Sequence, residues 1–518
     1  MTNKISCIIK IMHTLREMSS KGLHILQEYK IIILVIVLSI IIILVYVFYN
    51  RETFKDHPLG SMSGFGYQKS IKDYPLFNAL YPPELGSDFK LNSVIRTLKM
   101  NNLNPSLLNG FERSILVDGT QFNIGASKCP IFIVPTIGAS NIYATWSLDS
   151  SRGVKTLDSY QNFENSEKWK CKTSQDTWVP IWPPTSVDGL PEYCWTDNIK
   201  LTDKFNNADG VNTKVSPVGT LEFIRGYDTI IKGLTALGYV PGSTLFGVNY
   251  DFRTITKTID NLCVSLTNAI EKYVIMNKKR AIIMGHGLGS CVANYFLVSK
   301  SQEWKDAYIE SFITISGAFG GCPKALRVLL SGESLPSKED SIVFRNATST
   351  FSGLYWLLPN PVVYGPRTLI TMDSNTYRAA DALPNDQENA LNTITGDRYK
   401  LVQDVINKSM QAPNVLTYVI GGSNHHTESS YEYKNLKEEP KKIMYSYNTA
   451  NYNSTGEFPD GYNGDGTMPQ FALEYPLQWQ QYQSIHFKFY QDAEHLKILS
   501  LYEPVQDILK IIKEFNAL

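Results

Sequence analysis

The sequence predicts an α/β fold built on a mainly parallel sheet. Two observations carry that prediction. Short apolar runs at Ile131–Val134, Arg280–Met284, Phe312–Ile315, Val415–Ile420 and Ile485–Tyr490 have the length and composition of strands. The stretches between them are long enough for crossovers and are helical in pattern, and strands alternating with helices give a parallel sheet covered on both faces. The second observation is local: the run ending at Met284 passes through Gly285-His-Gly-Leu-Gly289 directly into a helix-like segment, Ser290 to Val298. That is strand, tight turn, helix.

In chain order, Ile131-Phe-Ile-Val134 is a buried strand closed by Pro135, followed by a polar, Trp-rich stretch at about 165–200 and a helix at 222–240. After the glycine turn and its helix, Phe312-Ile-Thr-Ile315 forms a strand that ends in Ser316-Gly-Ala. Residues from about 325 to 412 are helical and loop-rich without central strands, which predicts a cap inserted before the sheet resumes at Val415. Ile485-His-Phe-Lys-Phe-Tyr490 alternates as a strand does, and the chain closes with a helix after Pro504 whose Val505, Ile508, Leu509, Ile512 and Phe515 share one face.

The N-terminal part reads differently. Ile31 to Tyr49 is apolar and uninterrupted by charge, and at helical rise it spans roughly 28 Å, about the thickness of a bilayer core. A cleaved signal peptide fits poorly, because the preceding tail is long and no small-residue cleavage pattern follows. The expected organisation is a tail at 1–30, a transmembrane signal anchor at 31–49, a stalk and docking segment rich in Pro, Gly, Ser and Asn at 50–110, and a large domain at 111–518. Arg16, Lys21 and Lys30 before the span, against Arg51 and Lys55 after it, favour a cytoplasmic N-terminus and a lumenal or extracellular body. The sequons at Asn346, Asn407 and Asn453 agree with that placement.

Composition bounds the function. Basic and acidic residues balance at 49 each, so the chain offers no footprint for nucleic acid, and 43% hydrophobic residues is ordinary for a globular core. His425 and His426 are adjacent and have no Cys or Asp cluster nearby, so no metal site and no cofactor is expected.

The chemistry sits at the glycine turn. A nucleophile elbow, Gly-x-Ser-x-Gly between strand and helix, needs small residues on both sides of a strained central position and uses the following helix N-terminus to stabilise an oxyanion. Gly285 and Gly289 supply the flanks, and Gly287 stands at the centre. Taken alone, Gly-x-Gly-x-Gly also suits a nucleotide-binding turn. An acid and then a histidine after later strands favour the hydrolase arrangement: Asp465 in Asn463-Gly-Asp-Gly-Thr467, and His495 between the Ile485 strand and the final helix.

From about 128 to 515 the sequence resembles the lecithin:cholesterol acyltransferase and lysosomal phospholipase A2 family, which has the α/β-hydrolase fold. Ile131-Phe-Ile-Val-Pro135 resembles that family's first strand and oxyanion turn, although the family continues with glycine where this chain has Thr136. Trp169-Lys-Cys171 and Cys194-Trp-Thr-Asp-Asn198 are similar to the ends of its disulfide-closed membrane-binding loop, and Asn249-Tyr-Asp-Phe-Arg253 to its Tyr-Asp-Trp-Arg motif. Gly285-His-Gly-Leu-Gly289 matches its Gly-His-Ser-Leu-Gly except at Gly287. Glu303-Trp-Lys-Asp306, Ile315-Ser-Gly-Ala-Phe-Gly-Gly321, Gly464-Asp-Gly-Thr467 and Glu494-His-Leu496 continue the likeness in order.

The resemblance implies roles. His495 would be the general base, Asp465 its orienting acid, and the N–H groups of Ile137 and Leu288 the oxyanion hole. Cys171 and Cys194 would pair, with Trp178, Trp182 and Trp195 as interfacial aromatics or simply buried side chains. Thr350–Tyr364 would lie where the family keeps a mobile lid, or would be cap core. The implied substrate is membrane phospholipid, with a sterol or other alcohol as acyl acceptor. Glycine at 287 cannot form an acyl-enzyme. That leaves a lipid-binding pseudoenzyme, a variant of an active enzyme, or a histidine with a different task.

Overall fold

A computed structural model describes residues 128–147, 174–183, 195, 198–223, 226–332, 345–382, 390–436, 438–445 and 463–517. The expected transmembrane segment 31–49 and the stalk 50–110 lie outside these residues, as do Cys171, Cys194 and Asn453. Among the described residues no helix is long and apolar enough to cross a membrane.

The central sheet has six strands in the order β13-β10-β7-β6-β1-β5. They are β1 (Ile131–Val134), β5 (Leu245–Gly247), β6 (Ala281–His286), β7 (Ile309–Ile315), β10 (Thr417–Ser423) and β13 (Ile485–Gln491). Every pairing in it is parallel. The apolar runs form strands here because parallel strands covered on both faces must be apolar on both faces, and β1 and β6 are buried at every position. Strand order, parallel pairing and helical crossovers make this an α/β-hydrolase-type fold.

Helices cover the sheet: α1 (Asp228–Ala236), α2 (Ile255–Asn277), α3 (Leu288–Val298), α4 (Gln302–Tyr308), α5 (Pro323–Leu330), α6 (Ser352–Trp356), α7 (Ala390–Ser409) and α8 (Tyr502–Ala517). Helix α3 is apolar on nearly every side and buried from Leu288 to Leu297. Its buried Asn294 amide donates to the carbonyls of Ser409 (2.7 Å) and Gln411 (2.8 Å), which fixes the end of α7 against it. Helix α4 begins at Ser301, whose hydroxyl accepts from the Trp304 N–H, an N-cap of the usual kind. The final helix buries Val505, Ile508, Ile512 and Phe515, with Leu509 partly buried beside them, as the periodicity predicts.

Two smaller sheets were not legible in the sequence. One is β3-β2-β4, with β2 (Ile142–Trp146), β3 (Gln175–Trp182) and β4 (Val211–Lys214); the other is β12-β11-β8-β9, with β8 (Thr368–Met372), β9 (Asn375–Arg378), β11 (Glu428–Tyr433) and β12 (Lys442–Tyr445). The stretch 325–412 therefore contains strands, though none joins the central sheet. The expected helix at 222–240 is shorter, because Asp228 opens it and Leu237 caps it.

Register assembles the site. Val134 pairs with Gly285, and His286 pairs with Ile315, so the carboxyl ends of β1, β6 and β7 lie level. Pro135 and Thr136, Gly287, and Ser316 follow at one edge of the sheet, where open α/β sheets place their ligands. β10 and β13 end at the same edge, the first leading to His425 and the second to His495.

Candidate active site

Gly287 stands between β6 and α3 with φ 53° and ψ −123°, a conformation that an L-residue adopts only under strain. Its N–H donates to the Ile315 carbonyl (3.1 Å), and its carbonyl accepts from Ser290 (3.1 Å) and Ala318 (3.2 Å). The flanking glycines are required by space. A Cβ on Gly285 would lie 2.5 Å from Ser290 Cα, and one on Gly289 would overlap the carbonyl oxygens of Val134 and Pro135. The turn is therefore a nucleophile elbow in geometry, with no side chain at its centre.

Asp465 and His495 meet in front of it. His495 Nδ1 lies 2.7 Å from Asp465 Oδ2, and both groups are buried. The other carboxylate oxygen accepts the N–H groups of Thr467 (3.0 Å) and Met468 (2.7 Å), and the His495 N–H donates to the Asp465 carbonyl (2.8 Å). Burial alone would push the Asp465 carboxyl up. The His495 imidazole, the hydrogen bond to it and the two backbone donors outweigh burial and hold it below the ordinary carboxylate range. An ionised Asp465 keeps the His495 proton on Nδ1 and leaves Nε2 free to accept one. That nitrogen lies 3.1 Å from the position a Cβ on Gly287 would take.

Two residues that the sequence did not single out complete the centre. His286 is buried, and burial foremost, with His495 adding to it, depresses its imidazole to about 3, so it is neutral. Its Nε2 lies 2.8 Å from the His495 carbonyl, which can only accept, so the single ring proton is on Nε2. Nδ1 then accepts from the Tyr227 hydroxyl (3.1 Å), and the Tyr227 oxygen accepts the Thr136 N–H (2.9 Å). One chain of hydrogen bonds thus runs from the turn after β1, through Tyr227 and His286, to the backbone of the base. The one signal in the sequence was that His286 matches the histidine of the related Gly-His-Ser-Leu-Gly motif.

Ile137 and Leu288 are both buried at the turn, and the Leu288 N–H points to Thr136 Oγ1 at 3.4 Å. Tyr250 of the Asn249–Arg253 motif donates its hydroxyl to the Pro135 carbonyl (2.7 Å) and so supports the same turn from behind. Arg253 is fully buried against Asp251 (2.6 Å) and donates to the Ile199 carbonyl.

Other expected residues fall elsewhere. Of the three tryptophans read as interfacial, only Trp178 is exposed, at 43%, with Lys214 over its ring. Trp182 and Trp195 are core instead: each has found an internal partner for its indole N–H, in the carbonyls of Gly138 (2.8 Å) and Ile181 (2.7 Å). The segment 350–364 is likewise core over Phe351–Leu358, because its aromatics pack inward: Tyr355 against Phe205 and Phe351 against Phe252. Asn346 is half-buried in a helical turn, and Asn407 is exposed on α7.

The chain matches the family model of Lecithin:cholesterol acyltransferase at residues 185–392 and 369–501. It is 26% identical over 409 residues to the phosphatidylcholine-sterol acyltransferase of Gallus gallus, covering 73% of this chain and 93% of that protein. It is 26% identical over 368 residues to the lysosomal phospholipase A and acyltransferase of Homo sapiens, covering 64% and 81%. Among solved structures, that of the Tle4-Tli4 complex aligns at a TM-score of 0.42 and 11% identity, over 76% of this chain and 99% of that one.

Proposed function

The chain belongs to the lecithin:cholesterol acyltransferase family, and we propose that it is a catalytically impaired phospholipid acyl hydrolase or acyltransferase scaffold, tethered to a membrane by residues 31–49. The observation behind this reading is the orientation of His495. Its Nδ1 is held by Asp465 at 2.7 Å, and its Nε2 faces, at 3.1 Å, the side-chain position of a residue that has no side chain. A serine there would give up its proton to Nε2, attack the ester carbonyl and hold the acyl group until water or an alcohol accepted it. Glycine provides none of those atoms, so covalent acyl transfer is lost. What remains is a water polarised by His495, with residual catalysis over water of about 10³- to 10⁴-fold where binding and the oxyanion donors persist.

In this reading the ligand is membrane phospholipid, with a sterol or another alcohol as the potential acceptor, and Trp178 is the described tryptophan placed to touch lipid. The chain is a single-pass protein with a cytoplasmic N-terminus and a lumenal or extracellular domain, and its main role is to bind lipid rather than to turn it over.

Fatty-acid release and co-sedimentation with phosphatidylcholine vesicles, measured on the full-length protein and its His495→Ala variant, test this. The reading expects both proteins to bind the vesicles, with release near background. Release at ~10 s⁻¹, an ordinary enzymatic rate, abolished in the variant, would overturn it.

A further inference from the structure

The turn after β1 places a threonine in the one spot where a nucleophile would have to stand. A Cβ on Gly287 would overlap Thr136 Oγ1 and would lie 3.0 Å from Thr136 Cβ. The same Cβ would lie 3.1 Å from His495 Nε2. Thr136 therefore obstructs position 287 in the direction that faces the base.

Thr136 is not free to withdraw. Its N–H donates to the Tyr227 hydroxyl (2.9 Å), its carbonyl accepts from Ala139 (3.2 Å), and it is 2% exposed. Its branched side chain has few rotamers, and no rotation moves its Cβ. The hydroxyl also has a role where it stands: Oγ1 accepts from the Leu288 N–H at 3.4 Å, a donor at the helix N-terminus that would otherwise be presented to a developing oxyanion. Independently, the backbone at 287, with φ 53° and ψ −123°, favours glycine.

We infer that Thr136 and Gly287 are a matched pair, in which the threonine fills the volume left by the bare glycine and engages an oxyanion donor, so that the site is closed by the chain itself. Restoring a side chain at 287 then requires a second change at 136. The inference rests on the reading of the elbow given under the proposed function, but its steric part can be measured without catalysis.

Thermal unfolding of four full-length proteins tests it: wild type, Thr136→Gly, Gly287→Ala and the double variant. Overpacking predicts that Gly287→Ala lowers Tm by about 5 °C in the natural background and by measurably less beside Gly at 136. The backbone strain of alanine at this φ is common to both backgrounds and cancels in the cycle. An equal drop in both backgrounds overturns the inference. A second measurement uses a fluorophosphonate, whose P–F bond breaks as a serine oxygen bonds to phosphorus and His495 takes the serine proton. Gly287→Ser alone should label at least tenfold more slowly than Gly287→Ser combined with Thr136→Gly, and labelling of both at the same measurable rate overturns the inference. Should the Tm cycle show coupling while the double variant stays unlabelled, the matched pair stands and the reading of His495 and Asp465 as a competent base is what fails.

Discussion

The rings of His286 and His495 lie 5.1 Å apart, and His286 Nε2 donates to the His495 carbonyl at 2.8 Å. The residue before the elbow glycine thereby fixes the backbone of the base, although the two are far apart in the chain. Because His286 also accepts from Tyr227, which holds Thr136, the geometry of the base and that of the turn after β1 are set together.

This relationship has a pH signature. The buried His286 is depressed to about 3, whereas a histidine in the unfolded chain titrates near 6.5. Between these values the unfolded chain binds a proton that the folded one does not, so stability rises with pH up to about 6.5 and is lost on acidification through that window. Wild type should lose on the order of 1 kcal/mol per pH unit from this group. His286→Gln should be flatter over the same range in urea-unfolding measurements, and parallel curves for the two would count against a neutral, donating His286.

Asp465 gives a separate prediction of the same sign, lower on the pH scale. Its carboxyl is held below the ordinary range, so its stabilisation is present above about 3.9 and disappears as pH falls through the depressed value. Asp465→Ala should cost about 1–3 kcal/mol at neutral pH, since it leaves the buried His495 Nδ1–H without its acceptor. The difference from wild type should shrink only in strong acid. A cost below about 1 kcal/mol at pH 7 would mean that the pair is not held as described.

Away from the site, Arg327 and Glu428 form a buried pair (2.9 Å) that ties α5 to β11, with the Tyr431 hydroxyl donating to the same carboxylate (2.6 Å). Burial pushes Glu428 up, but Arg327 and its other partners hold it below the ordinary range. Glu428→Ala should destabilise by about 3–5 kcal/mol, and substituting both residues by apolar ones should cost much less. Comparable losses in the single and double variants would show that the pair is not what the site needs.

Gly289→Ala tests the elbow's packing. The added methyl would meet the carbonyl oxygens of Val134 and Pro135, which are backbone and cannot rotate away. The variant should lose about 3 kcal/mol or more and express poorly. Near-wild-type stability would mean that β1 and α3 are not as close as they stand.

Much of this was legible in the sequence where burial writes a plain pattern. Strands β1, β6, β7, β10 and β13 are short apolar runs because both faces of the sheet are covered. Gly285, Gly289, Asp465 and His495 stand out because each type is demanded at one place by the turn or by the chemistry. Strand β5 escaped notice because Leu245–Gly247 is three residues long, and β3 because its first half is largely exposed and mixes polar with aromatic residues. Trp182 and Trp195 could not be assigned, since a tryptophan at an interface and one in a core differ only in where the indole N–H finds its partner. Tyr227 and His286 were invisible for a related reason: their roles depend on contacts across the fold. Thr136 was visible as a departure from the related motif, but its meaning depends on its distance from position 287.

The most direct test of the central claim is the intact mass of the full-length wild-type protein after prolonged exposure to a saturating fluorophosphonate. The absence of a side chain at Gly287 predicts an unmodified mass, and one unchanged by His495→Ala. A stoichiometric adduct that depends on His495, whether on Thr136 or on any other hydroxyl, would contradict it, because the base would then have a nucleophile.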